Sequence, residues 1–292
     1  MQLSKRLEAI ASMVTPGNRL VDVGCDHGYL PIALVRRQII PSAIAMDVRS
    51  GPLGRAKENI EAYGLNPYIE TRLSDGLEAL QPGEGDTLSV AGMGGPLIER
   101  ILSRNVEVSE SFQELILQPQ SEIGNFRRYL VECGFTVSQE DMVWEDGKFY
   151  PIIKAVFKKT AHKDRYTDIE FYYGKRLLES RHPVLYSYLE KELEKAQEAL
   201  EEQKDKYLRL SAEFDNYRKR TMKEKAELIL NGGEKSLSSI LPIVDDFERA
   251  IKTMETATDV SAVKEGVELI YNKFMAVLGQ NGVKVIETKD QP

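Results

Sequence analysis

Five short apolar runs, each followed by a stretch with helical spacing, constrain what this chain can fold into. They read RLVDVG, SAIAMDV, IETRLS, DTLSVAGM and ELILQP, between residues 19 and 119. Most are rich in Val, Ile and Leu, and segments such as Gly51 to Tyr63 and Gly95 to Leu102 separate them. Strands joined by helical crossovers lie parallel, in a sheet covered on both faces. A last pair, roughly Asp141 to Trp144 and Phe149 to Phe157, flanks EDGK, where Asp146-Gly147 is a hairpin signal. The sheet is therefore expected to end in an antiparallel hairpin.

From about Asp168 the composition shifts to Leu, Glu, Lys, Arg and Gln. Leu193, Ala196, Leu200, Gln203, Tyr207, Leu210, Phe214, Tyr217 and Thr221 advance by alternating steps of three and four, the a/d seam of a coiled coil. Asn231-Gly232-Gly233 stops or interrupts that helix. Two amphipathic segments follow, Glu234 to Met254 around Pro242 and Val260 to Gln280, then Asn281-Gly282 and the strand-like VKVIE. Three parts are expected: an α/β domain over 1–160, a helical and coiled-coil extension over 161–231, and a helical bundle over 232–292. The seam predicts a homodimer.

No apolar run approaches the roughly 20 residues of a membrane span. Lys5, Arg6 and Glu8 interrupt the place where a leader peptide would need an apolar core, so the expected location is the cytoplasm, away from any membrane. Two cysteines, Cys25 and Cys133, with no CxxC and no histidine at ligand spacing, argue against a disulfide framework or a structural zinc site; two buried or half-buried thiols are expected. The net charge of −7 does not suggest a dedicated nucleic-acid coat protein, and it says little about a local basic patch.

The first run ends in Asp22 and opens into Gly24-Cys25-Asp26-His27-Gly28 before the apolar pattern resumes. A dinucleotide fingerprint needs GxGxxG, whose second glycine lets the backbone approach a pyrophosphate. Here Asp26 sits where phosphates would lie, and a carboxylate repels them. That disfavours a nicotinamide-dependent oxidoreductase and suits a cationic, phosphate-free cofactor such as S-adenosylmethionine. Asp47 closes the second run, where an acid accepts hydrogen bonds from ribose hydroxyls. Asp75-Gly76 follows the third run, with the Asp75 side chain placed to take an adenine amino group and Ser74 at the ring edge. A single acid at a strand end is usually a cap or turn residue. Three acids in order at three successive strand ends point to a nucleoside site.

The segments LSKRLEAIASMV, VDVGCDHGYLPIAL, SDGLEAL, VAGMGGPLI and LILQPQ resemble the TrmK-type tRNA (adenine-N1)-methyltransferases, over roughly residues 1–190. The resemblance implies a class I SAM-dependent methyltransferase fold, Rossmann-like, with S-adenosyl-L-methionine as donor and adenine 22 of bacterial tRNA as acceptor. It places Gly24, Asp26 and Gly28 at the methionine end of the cofactor, Asp47 at the ribose, and Asp75 with Gly76 at the adenine; Asp22 and Ser74 are further cofactor-binding candidates. Many amino-N methyltransferases carry Asn or Asp with prolines after the fourth strand. This chain has Ala91-Gly92-Met93-Gly94-Gly95, so Ala91 and Gly92 are expected to line the cofactor with backbone groups, and Met93, Gly94 and Gly95 to admit a purine closely. Asp26 or His27 could take an N6 proton, and Tyr29 could stack on the base; the alternatives are a helix-start histidine and a structural tyrosine. Gln118 and Gln120 are candidates to read the base edge, or to satisfy loop backbone. Arg127 and Arg128, with Lys5, Arg6, Arg49 and Arg55, are candidate phosphate contacts.

From about Leu193 onward, DKYLRLSAEFDNYRKRTMKEKAEL, LPIVDDFERAI and GVELIYNKFMAVLGQNGVKVIE closely resemble GrpE, the nucleotide exchange factor of the DnaK chaperone. The resemblance implies the dimerising helix and bundle helices without the β domain that supplies most of the DnaK contact. It leaves a second reading open: a dimeric cochaperone fragment with weak DnaK contact, carrying the methyltransferase part as a passenger.

Overall fold

The computed structural model describes residues 2–158, 165–284 and 286, and its contacts divide the chain into two units at Gln197 and Glu198. The first unit opens with α1 (Lys5–Met13), then runs β1 (Leu20–Val23), α2 (Tyr29–Arg36), β2 (Ala43–Asp47), α3 (Ser50–Ala62), β3 (Ile69–Leu73), β4 (Thr87–Met93), α4 (Gly95–Arg104), α5 (Val106–Ser111), β5 (Glu114–Pro119) and α6 (Ile123–Glu132). The hairpin β6 (Phe135–Glu145) and β7 (Lys148–Phe157) completes one seven-stranded sheet in the order β3-β2-β1-β4-β5-β7-β6. Strands β1 to β5 pair in parallel, and β7 lies antiparallel between β5 and β6. The five runs and the terminal hairpin are those expected. Strand β6 starts six residues earlier than Asp141, because a register shift between Val137 and Gln139 breaks the alternation that marks a strand in sequence.

All four residues of β1 are buried, as a central parallel strand requires. Leu20 packs in one core layer with Ile10, Leu34 and Ile60, while Val21 and Val23 join the opposite layer with Ile98, Leu102 and Phe126. The strand order reverses between β1 and β4, which opens a crevice beyond their carboxyl ends.

Helix α7 (Asp168–Tyr173) starts with a capping box between Thr167 and Glu170, and α8 (Lys175–Glu179) follows at once. Both are tied to the sheet through a buried ion pair, Arg127 on α6 with Glu140 on β6, whose Nε–Oε1 distance is 2.7 Å. Helix α9 (Pro183–Asn231) begins on this unit, where Leu185 packs with Met142 and Leu177.

The second unit holds the rest of α9 with α10 (Glu234–Met254) and α11 (Val260–Gln280). Asn231 ends α9, as the Asn-Gly-Gly signal predicts. Helices α10 and α11 are linked by the Asp246–Lys273 ion pair and by Asn281 Nδ2 donating to Ser239 Oγ at 2.9 Å. Along α9 the seam residues Leu193, Leu200, Tyr207, Leu210, Phe214 and Tyr217 are all exposed. Val285 and Glu287 of VKVIE, and residues 159–164 around the expected first boundary, lie outside the described residues.

Candidate functional site

The crevice at the strand reversal is a cavity of about 720 Å³. Asp22, Gly24, Asp26, His27 and Tyr29 line it from the end of β1 and the start of α2. Asp47 lines it from β2, Ser74, Asp75 and Gly76 from the loop after β3, Ala91, Gly92 and Met93 from β4, and Gln120 from beyond β5. The structure therefore brings together most of the residues singled out from the sequence.

The loop after β1 is shaped by close approach. Gly24 has φ +77°, and a Cβ there would lie 2.3 Å from Met93 Cε. Its N–H and that of Cys25 donate to Met46 O at 2.8 and 3.0 Å, which fixes the loop against β2. Asp26 holds φ +44°, a conformation uncommon outside glycine. Its carboxylate pairs with Arg55 at 3.0 Å and lies 3.6 Å from His27 Nε2, while the His27 ring stacks on Tyr29 with centroids 5.1 Å apart. Burial pushes the Asp22 carboxyl up to about 7; the Ser89 hydroxyl counters this and the charge of Asp47 adds to it. Burial likewise raises the Cys25 thiol far above its usual range, so it is inert, whereas Cys133 is exposed rather than half-buried.

Asp47 is buried at the crevice floor; its Oδ1 accepts from Arg49 N at 2.9 Å. That leaves Oδ2 for a ligand hydroxyl. Asp75 is partly engaged, its Oδ2 accepting from Arg104 Nη1 at 2.8 Å. Ser74 builds its own turn: its hydroxyl donates to Gly76 O at 3.0 Å and accepts from Ala79 N at 3.1 Å. On β4 the pairing register shifts between Ala91 and Met93, with Gly92 at φ +78° in the bulge. No acid or amide side chain stands on that turn.

Several expected site residues lie elsewhere. Gly28 caps α2, where a Cβ would sit 3.3 Å from Ala56 Cβ, so its smallness serves helix packing. Gly94 and Gly95 pack against the β5–α6 connection; a Cβ on Gly95 would be 2.7 Å from Ser121 O. Gln118 is not a base reader: it is fully buried, its Oε1 accepting from Arg6 Nη1 at 2.9 Å and Gly92 N at 3.1 Å, so its amide satisfies backbone and Arg6. Arg127 is no phosphate contact, because it is buried against Glu140 and donates to Phe171 O and Tyr172 O at 3.0 Å each. Arg128 pairs with Asp168 at 2.9 Å and lies over the Phe171 ring, away from the crevice. Conversely, Ser4 and Leu7 of the first helical segment and Leu97, Arg100 and Ile101 of α4 line the cavity. Their patterns read as ordinary amphipathic helix, and only the packing of α1 and α4 beside the strand ends reveals them.

Residues 3–153 match the family model described as a methyltransferase domain. The chain belongs to this methyltransferase-domain family. The Streptococcus pneumoniae protein Sp1610, solved in complex with S-adenosyl-L-methionine, is 40% identical; the match covers 69% of this chain and 92% of that one, with a TM-score of 0.64. The tRNA (adenine(22)-N(1))-methyltransferase of Bacillus subtilis is 37% identical over 155 residues, 53% of this chain and 65% of that protein. Beyond the methyltransferase domain, residues 185–292 match the GrpE family model. Protein GrpE of Bacteroides thetaiotaomicron is 89% identical over 104 residues, 36% of this chain; the chain spans only 54% of that relative's length.

Proposed function

We propose that the first unit transfers a methyl group from S-adenosyl-L-methionine to N1 of adenine 22 in bacterial tRNA. The observation that carries this reading is the single crevice at the strand reversal that joins Asp22, Asp47 and Asp75 at three strand ends to a glycine bulge on β4. The residues fit the donor: two of these acids are buried, and the loop side chain at the phosphate position of a dinucleotide site is an acid. S-adenosylmethionine, when bound, supplies an electrophilic methyl on a sulfonium.

Asp47 holds the ribose with its open oxygen, and Asp75 and the backbone at Gly76 meet the adenine edge. Asp22, neutral or charged near pH 7, favours a nearby cation by ionising. Ala91, Gly92 and Met93 admit the target purine against the backbone. Adenine N1 offers a lone pair, so the β4 turn needs no strong base; its task is in-line positioning. Asp26 and His27 stand at the rim to accept an N6 proton, and exposed Tyr29 forms a wall for an extruded base. Arg49, which lines the crevice and is well exposed, is a phosphate contact.

In this reading residues 1–160 form the catalytic domain, 161–231 a helical extension that is GrpE-like from about 193, and 232–292 a GrpE-like bundle segment. The exposed α9 seam supports a homodimer, and the GrpE match supports a second reading, a weak contact with a DnaK-type chaperone. Among the described residues no helix is long and apolar enough to cross a membrane, and the proposed place of action is the cytoplasm. The test is transfer of labelled methyl by the full chain to unmodified bacterial tRNA, with adenine 22 replaced by guanine as one control and Asp47→Ala as the other. Label that persists on the guanine-22 tRNA refutes the assigned base; no label despite cofactor binding refutes the substrate.

A further inference from the structure

The guanidinium of Arg6 enters the crevice from α1 with no carboxylate partner on its side chain among the described residues. Of the other arginines in or near the crevice, Arg55 faces Asp26, Arg104 faces Asp75 and Arg49 lies 3.8 Å from Asp47, while Arg100 of α4 also lacks a carboxylate partner among the described residues but is exposed to solvent. Glu145, which touches this helix start, is occupied by backbone, accepting from Lys5 N at 2.6 Å and Arg6 N at 3.4 Å, and Glu8 on the same helix pairs with Arg37. Arg6 is half-buried and held by neutral groups only: Nη1 donates to Gln118 Oε1 at 2.9 Å, and the guanidinium lies 5.4 Å from the Tyr150 ring centroid. Gln118 is in turn fixed by Gly92 N, so the fork is pre-positioned over the β4 bulge. A partly desolvated guanidinium with unused N–H donors in a fixed plane matches an oxyanion, which it binds through paired hydrogen bonds.

We propose that Arg6 binds an oxyanion at the β4 side of this crevice, apart from the exposed contact assigned to Arg49, and that this oxyanion is a phosphate of the nucleotide presented to the β4 turn. This rests on the methyltransferase reading above. The α-carboxylate of the cofactor offers the same chemistry, but the contacts of Arg6 lie at Gly92, Gln118 and Tyr150, on β4, β5 and β7. The acids assigned to the cofactor lie at the ends of β1 to β3. Arg6 is therefore a substrate-positioning residue, and its contribution falls on nucleotide affinity rather than on cofactor affinity.

The test compares two ligand pairs on the full chain, each differing by one anionic group: adenosine 5′-monophosphate against adenosine with S-adenosylhomocysteine saturating, and S-adenosylhomocysteine against its decarboxylated analogue, which keeps the amine and lacks only the carboxylate. Wild type is expected to prefer the monophosphate by roughly tenfold, the scale of one charge-assisted hydrogen bond pair. Arg6→Gln should level that preference and leave the second ratio unchanged. Arg6→Lys, which keeps the charge without the fork, should retain part of it and guards against a folding defect in the glutamine variant. If instead the second ratio collapses, the oxyanion is the cofactor carboxylate and the phosphate assignment falls. If neither ratio moves, Arg6 binds no oxyanion and the proposal is overturned. Loss of the monophosphate preference in a protein whose wild type methylates no tRNA would uphold Arg6 while retiring the tRNA reading.

Discussion

Replacing Arg127 by alanine should unfold the first unit at a markedly lower temperature while leaving the crevice chemistry untouched in the folded fraction. The side chains of Arg127 and Glu140 are 2% and 1% exposed. Removing the guanidinium strands the Glu140 carboxylate, whose only other partner among the described residues is Arg176 N at 2.9 Å, and deprives two α7 carbonyls of their donor. Breaking a buried pair from one side costs about 3–5 kcal/mol. For a unit of this size each kcal/mol is worth about 2–4 °C, so Tm should fall by roughly 10 °C. The only tryptophan is Trp144, on β6, so its fluorescence follows this unit without interference from the α10–α11 helices. An Arg127→Met/Glu140→Leu protein should recover more than half of the loss, because two apolar chains leave no stranded charge. A Tm within about 2 °C of wild type for Arg127→Ala, together with weakened tRNA binding, would refute the structural role.

The remaining predictions concern the crevice, the sheet and the seam. Asp22, held at about 7 against an unfolded value near 3.8, contributes stability that is full below pH 4 and is lost as pH rises through 7; Asp22→Asn should therefore melt higher than wild type at pH 8, by on the order of 2–4 kcal/mol, and no higher at pH 4. Because a cation favours the ionised form, cofactor binding near pH 7 should release a proton, detected as buffer-dependent heat in calorimetry and absent in Asp22→Asn. Glu114 behaves oppositely: burial raises it, but Lys154, Thr15 and Thr87 overcome this and hold it below its ordinary value, so its stabilisation is present at neutral pH and lost in acid. Lys154→Met should cost about 3 kcal/mol at pH 7 and little at pH 3, measured by urea denaturation. Gly24→Ala, which must place a Cβ against Met93 at positive φ, should weaken cofactor binding at least tenfold in a titration. A chain ending at Gln197 should keep its cofactor affinity and sediment as a monomer; a dimer would refute the seam.

The sheet was legible because most of its parallel strands are buried on both faces and read as short apolar runs such as RLVDVG and ELILQP, too short for an ordinary helix and bounded by turn residues. The crevice was legible where acids and glycines fall at strand ends. Arg127 and Arg128 were not separable: both sit in NFRRYL, and only the inward face of α6, shared with Phe126 and Leu130, buries one of them. Gln118 and Gln120 look alike in LQPQ, yet one is sealed by Arg6, 112 residues away in the chain, and the other lines the cavity. Such distinctions depend on contacts between distant segments, which local spacing does not encode.

The fastening of α1 to the terminal hairpin sets an order of events during synthesis. Glu145 caps the backbone at Lys5 and Arg6, and Lys154 Nζ reaches back to Met13 O at 2.7 Å. Lys5 and Arg6 thus wait for a partner made some 140 positions later in the chain. At bacterial elongation rates of about 5–20 residues per second that interval is on the order of ten seconds. Ser4, Arg6 and Leu7 belong to the wall of the crevice, so a nascent chain can hold the glycine loop and the strand-end acids in place while its binding site still stands open on one side.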